Sequence, residues 1–109
     1  MNIVITQKIE SFINSLDKPS IEKVARTINL LEKFGNRLSM PHSKHIESNL
    51  SELRIRGKQE VRIFYCFGIK GAYLLHGIVK KSQKTPSREI VQAIHTRLTL
   101  INPCNITYV

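Results

Sequence analysis

Leu53-Arg-Ile55, Val61-Arg-Ile-Phe-Tyr-Cys-Phe67 and Tyr73-Leu-Leu-His-Gly-Ile-Val79 are β-branched, aromatic or alternating runs, and the breaks between them hold Gly57 with Lys58 and Gly68 with Gly71. Runs of this composition bounded by turn residues predict strands, and their close succession predicts an antiparallel meander. Side chains alternate across a strand, so Leu53 and Ile55 share one face while Glu52, Arg54 and Arg56 take the other. Val61, Ile63, Tyr65 and Phe67 likewise oppose Arg62, Phe64 and Cys66. The last run is largely apolar on both sides, Tyr73, Leu75 and Val79 against Leu74, His76, Ile78 and Lys80, and its facing stays open.

Upstream, Ile5, Ile9, Phe12, Ile13 and Leu16 recur at helical spacing, as do Ile21, Val24, Ala25, Ile28, Leu31 and Phe34. They read as a helical hairpin. Asp17 or Ser20 caps the second helix, Pro19 suits its first turn, and Gly35 followed by Asn36 is a stop signal. Asn2 to Ile5 is either a short strand or a first turn of helix. Arg37 to Asn49 holds Pro41 and lacks periodicity, which reads as a connecting loop. Downstream, Thr85-Pro86 opens a last helix with Ile90, Ile94, Leu98 and Ile101 on one face, and Pro103 ends it. Residues 102–109 follow as a tail of undefined structure. The expected fold is α+β: an N-terminal helical hairpin and a C-terminal helix packed on one face of a small antiparallel sheet. That sheet has three main strands and room for a short N-terminal one, in a single domain over residues 1–109.

A chain of 109 residues, 41% hydrophobic, is enough for one core and too short for two. Its apolar runs are far shorter than the ~20 residues of a membrane span. Met1 to Ile9 lacks the pattern of a secretory signal, so a cytoplasmic protein away from membranes is expected. Cys66 and Cys104 form no C-x-x-C pair, and His42 and His45 have no second ligand pair. Neither a metal nor another cofactor is expected. Seventeen Lys and Arg against eight Asp and Glu leave a formal charge of +9, a field that attracts polyanions. Nucleic acid is the leading partner class, an acidic protein the alternative.

If the helices cover the richer apolar face, Arg54, Arg56 and Arg62 converge on the uncovered one. Lys80, Lys81 and Lys84 join them from the end of the last strand. Guanidinium groups fork onto phosphate oxygens, and lysines act as mobile point charges. A solvated outer sheet face, guarded by cations against edge pairing, accounts for the same pattern equally well.

The runs Ser51-Glu-Leu-Arg-Ile-Arg56, Val61-Arg-Ile-Phe-Tyr65 and Leu74-Leu-His-Gly-Ile-Val-Lys-Lys-Ser-Gln-Lys-Thr-Pro86 are similar to the sheet region of phage-derived HigB-like toxins of the RelE/ParE superfamily. Ile28-Asn-Leu-Leu-Glu-Lys-Phe-Gly35 and Arg88-Glu-Ile90 fit the same family, so the resemblance spans about Phe12 to Leu98. It implies a RelE-like fold and the toxin role in a type II toxin–antitoxin pair. Relatives cut messenger RNA, typically on the ribosome, and are restrained by a helix-turn-helix antitoxin encoded nearby; the ParE branch instead poisons DNA gyrase. Carried over by position, Arg62 corresponds to the arginine set near the scissile phosphate. Arg54 and Arg56 correspond to RNA-holding positions, and Lys80, Lys81 and Lys84 to further binding or catalytic cations. Two departures stand out. The tyrosine or histidine that many such nucleases use for proton transfer near the C-terminus is replaced here by Lys-Thr-Pro running into a helix, leaving His76, His95 or Tyr108 near in sequence. The N-terminal strand of relatives also looks shortened.

The expected chemistry is metal-independent cleavage in which the ribose 2′-hydroxyl attacks the adjacent phosphorus. The protein then needs to hold the chain in line and offset charge on the phosphate oxygens. Arg62 is the first candidate for that role, with Lys81 or Lys84 assisting, and His76 is the candidate acid–base group. Its plain alternative is a packed, hydrogen-bonded strand histidine. Phe64 shares Arg62's face and either stacks on a base or seals a second small apolar cluster. A ParE-like gyrase poison and a non-catalytic basic binding module are the competing functions.

Overall fold

The computed structural model describes residues 1–81 and 85–100. The order is β1 (Ile3–Ile5), α1 (Gln7–Asn14), α2 (Lys18–Phe34), a 3-10 turn (Gly35–Arg37), β2 (Ser43–Glu47), β3 (Leu50–Ile55), β4 (Val61–Gly68), β5 (Gly71–Val79) and α3 (Ser87–Leu100). The strands form one five-stranded sheet in the order β1-β5-β4-β3-β2. β1 runs parallel to β5 and the other neighbours are antiparallel. No helix among the described residues is long and apolar enough to cross a membrane.

Local chemistry explains the hairpin. Thr6 has extended backbone and its hydroxyl accepts from the Ile9 amide at 3.3 Å, starting α1. Ile5 therefore belongs to β1, not to the helical face expected of it. Asp17 starts α2 by accepting from the Ser20 amide at 2.8 Å, with Pro19 in the first turn. Gly35 ends that helix at φ +56°, a left-handed backbone that favours glycine.

The segment expected to be loop between Arg37 and Asn49 contains β2. Ser43-Lys-His-Ile-Glu47 is an edge strand in which Ser43 alone is buried, and its register shifts between His45 and Glu47. Polar residues and a bulge are how edges resist pairing with other chains, and they erase the alternation by which a strand is recognised.

Both faces of the sheet are covered, which corrects the expectation of helices on one face only. Beneath α1 and α2, Leu53, Ile55, Val61, Ile63, Tyr65 and Leu74 bury against Ile9, Val24 and Leu31. On the other side Leu50, Phe64, Cys66 and Leu75 bury against Ala93 of α3, flanked by Ile90 and Ile94. Leu98, expected on the inner face, is 43% exposed. Ile101 lies outside the described residues. A face carrying Phe64, Cys66 and Leu75 is too apolar to remain in water, and α3 supplies the cover.

A bulge resolves the facing of β5. Phe64 pairs with His76 and Tyr65 with Leu74, so Leu75 is the extra residue. Leu74 and Val79 then meet the first core while Tyr73, Leu75 and Ile78 meet the second. Gly77 follows the bulge, and the Phe12 ring of α1 lies where its Cβ would be.

Candidate active site

Alternation along β3, β4 and β5 sets three same-face rows under and beside α3. Glu52 pairs with Phe64 and Phe64 with His76; one step along, Arg54 pairs with Arg62 and Arg62 with Ile78. Lys80 comes next on that face, and its amide donates to the Glu60 carbonyl at 2.6 Å. Apolar packing covers the first row, while cations dominate beyond it.

Arg62 is 2% exposed, Glu52 4%. The Nε atoms of Arg54 and Arg62 each lie 3.8 Å from Glu52 Oε1, inside the range of strong charge attraction and beyond a hydrogen bond. Arg62 Nη1 donates to Glu60 Oε2 at 3.3 Å and to the Val61 carbonyl at 3.0 Å. Glu52 Oε2 and both Nε atoms are buried without a hydrogen-bond partner among the described residues. Buried polar atoms normally find partners, so this cluster holds unspent donors in a desolvated place. Lys80 adds to it: its ammonium is held below the usual lysine range first by burial and then by the charges of Arg62 and Arg54, with Glu52 and Glu60 acting the other way.

The expected cations are thus only partly gathered. Arg54, Arg62 and Lys80 meet, but on a face that α3 partly covers, and with Glu52 and Glu60 interleaved. Arg56 lies past the end of β3 and is exposed, its carbonyl accepting from Lys23 Nζ at 3.2 Å. Lys81 is exposed beyond β5, because alternation at a strand end puts neighbouring residues on opposite sides. Lys84 lies outside the described residues, as do Cys104 and Tyr108.

Phe64 is fully buried and offers no face to a base in this arrangement; it seals the second apolar cluster. His76 stacks on it with ring centroids 6.3 Å apart, and His76 Nε2 sits 3.0 Å from Glu89 Oε1 on α3. His95 is exposed on α3. Burial pushes the Cys66 thiol up to about 11, the wrong direction for a reactive thiolate. Among the described residues no cluster of His, Cys, Asp and Glu could hold a metal ion.

Glu52, Glu60 and Glu89 were not among the expected site residues. For Glu52 a signal existed, since it shares a face with Arg54 by simple alternation. Glu60, two residues before Arg62, offered the same signal, whereas for Glu89 there was none, because its partner His76 is brought to it by the docking of α3.

The family model of phage derived protein Gp49-like (DUF891) matches residues 11–98. No curated protein matches the chain. Because that match runs from within α1 through β2 to β5 and most of α3, the chain belongs to the phage-derived Gp49-like family, a family of RelE/HigB-like toxins.

Proposed function

We propose that this chain is the toxin of a type II toxin–antitoxin pair and stops translation in the cytoplasm by cutting messenger RNA on the ribosome, restrained by a helix-turn-helix antitoxin encoded beside it. The observation that carries the reading is the meeting of Arg54 of β3, Arg62 of β4 and Lys80 just past β5, around arginine donors that have no hydrogen-bond partner among the described residues. Membership in a toxin family supports the same reading.

RNA brings its own nucleophile. The 2′-oxygen forms a bond to phosphorus, the bond from phosphorus to the 5′-oxygen breaks, and the products are a 2′,3′-cyclic phosphate and a 5′-hydroxyl. One proton leaves the 2′-hydroxyl and another reaches the departing oxygen. Arg62 meets the phosphate oxygens as the carboxylate of Glu60, 41% exposed, gives way to them. Lys80 adds charge from the neighbouring strand, taking the place expected of Lys81, and Arg54 holds the adjoining phosphate. Such groups act strongly because they are fixed before the charge develops. His76, steadied by Glu89, is the diagonal neighbour of Arg62 on the adjoining strand, about 7–8 Å away, and is the candidate to move a proton.

The test is to incubate the purified protein with translating ribosomes and sequence the RNA ends. New ends carrying a 5′-hydroxyl, lost in Arg62→Ala, are expected. Intact messages alongside gyrase-trapped DNA breaks would overturn the reading in favour of a ParE-like poison, and intact messages and DNA in favour of a non-catalytic module.

A further inference from the structure

We infer that the cleft between α2 and the end of β3 is a second phosphate-binding site, which grips the backbone of the single-stranded RNA where it leaves the cluster around Arg62. This rests on the ribonuclease reading and adds to it a surface outside the sheet face.

The cleft has a volume of about 360 Å³ and is lined by Lys23, Arg26, His42, Arg54 and Arg56, together with Thr27, Leu30 and Ile55. None of these is acidic. That is unlike the Arg62 cluster, where Glu52 and Glu60 compensate the cations. Arg54 alone of the lining cations has a carboxylate at hand, Glu52 on the side of the Arg62 cluster; cations gathered with so little counter-charge repel one another, and a polyanion relieves that repulsion.

The site is built by the fold. β2 pairing ends where the Arg54 amide donates to the His42 carbonyl at 2.8 Å, so Ile55 and Arg56 continue beyond the cover of β2. α2 passes alongside, and Lys23 and Arg26, three residues apart, project from one helical side. Lys23 is positioned: its Nζ donates to the Arg56 carbonyl at 3.2 Å, and the missing side chain of Gly57 makes room, since a Cβ there would stand 2.7 Å from that nitrogen. An ammonium carries three donors, so this bond leaves others for a ligand.

Arg54 links the two sites. It lines the cleft, yet its Nε is 3.8 Å from Glu52 within the Arg62 cluster. A strand whose scissile phosphate meets Arg62 therefore has a continuous path of cations past Arg54 to Arg26, Lys23 and Arg56. Spaced cations along an open cleft, with exposed Arg26 and Arg56 at its margins, suit a chain of phosphodiesters better than one compact anion.

The experiment is a salt titration of the affinity of the full chain for a 2′-O-methylated RNA oligonucleotide, which lacks the nucleophile and remains uncut. For Lys23→Ala/Arg26→Ala, the slope of log affinity against log salt is expected to shrink by about 1.4, two phosphate contacts at roughly 0.7 each. A control, Lys8→Ala/Lys18→Ala, removes the same charge from exposed positions on α1 and at the start of α2, and should leave the slope near that of the parent chain. Equal slopes for the two double variants overturn the inference, whatever else the cleft then proves to hold. Arg26→Glu, at an exposed position, repeats the test should the double variant fail to fold. Cleavage with equal slopes sinks the cleft alone; absent cleavage with unequal slopes sinks the ribonuclease reading alone.

Discussion

Arg54 of β3 and Arg62 of β4 are direct cross-strand partners, two guanidinium groups facing each other across one ladder with a single carboxylate, Glu52, between them. Like charges placed opposite on a sheet repel. The pair persists because Glu52, one same-face step along β3, shares one oxygen with both. Buried charges of this kind are costly to assemble and are concentrated where chemistry needs them.

Removing the shared carboxylate leaves Arg54 without its counter-ion and the buried Arg62 with the half-exposed Glu60 alone. Glu52→Gln keeps the shape and should cost about 3 kcal/mol of unfolding free energy in urea. Glu52→Gln/Arg62→Met, which removes a cation as well, should recover part of that loss. A single variant as stable as the parent chain would show that Glu52 is not the counter-ion.

Lysine at position 62 keeps the charge but loses the planar fork. Arg62→Lys is therefore expected to lower the rate of messenger cleavage on ribosomes by about 10²-fold or more. Glu60→Gln should act oppositely on binding, tightening the complex with 2′-O-methylated RNA several-fold by removing the carboxylate that competes for Arg62 Nη1. A rate for Arg62→Lys within a few-fold of the parent's would remove the fork from the mechanism.

Phe12 and Gly77 meet where α1 crosses β5. Gly77→Ala would drive a methyl into the Phe12 ring and should destabilise the fold by about 1–3 kcal/mol. Combining it with Phe12→Leu should restore a measurable part, which thermal unfolding of the single and double variants would show.

Alkaline pH provides a separate handle. Burial raises the Cys66 thiol from 9.0 to about 11, so the folded chain keeps a proton that the unfolded chain releases between these values. Stability contributed by the neutral thiol is complete below pH 9 and falls as pH rises toward 11, by on the order of 2 kcal/mol in all. Tyr65, pushed up chiefly by burial against the pull of its bonds to Ser43 and Ser51, acts in the same direction at higher pH. Cys66→Ala should flatten the decline between pH 9 and 11 in denaturant titrations; an unchanged decline would assign it elsewhere.

Much of this site can be read from the chain. The alternation of Glu52, Arg54 and of Arg62, Phe64 put these residues on one side of their strands, and the stop at Gly35 and a cap at Asp17 or Ser20, of which the fold uses Asp17, delimited α2. β2 was illegible because Ser43, Lys44 and His45 carry the polar character of an edge, which is also the character of a loop. The bulge at Leu75 was equally hidden, since an apolar run reads the same with or without an extra residue.

Periodicity and capping act within a few residues of each position, and so the linear chain dictates the helices, the three inner strands and which side of β3 and β4 bears the cations. Where α3 settles, which carboxylates reach Arg62, and whether Arg54 or Arg56 stands beside it depend on contacts between residues far apart in the chain. Those follow from burying two apolar sheet faces at once, a demand that no local window contains.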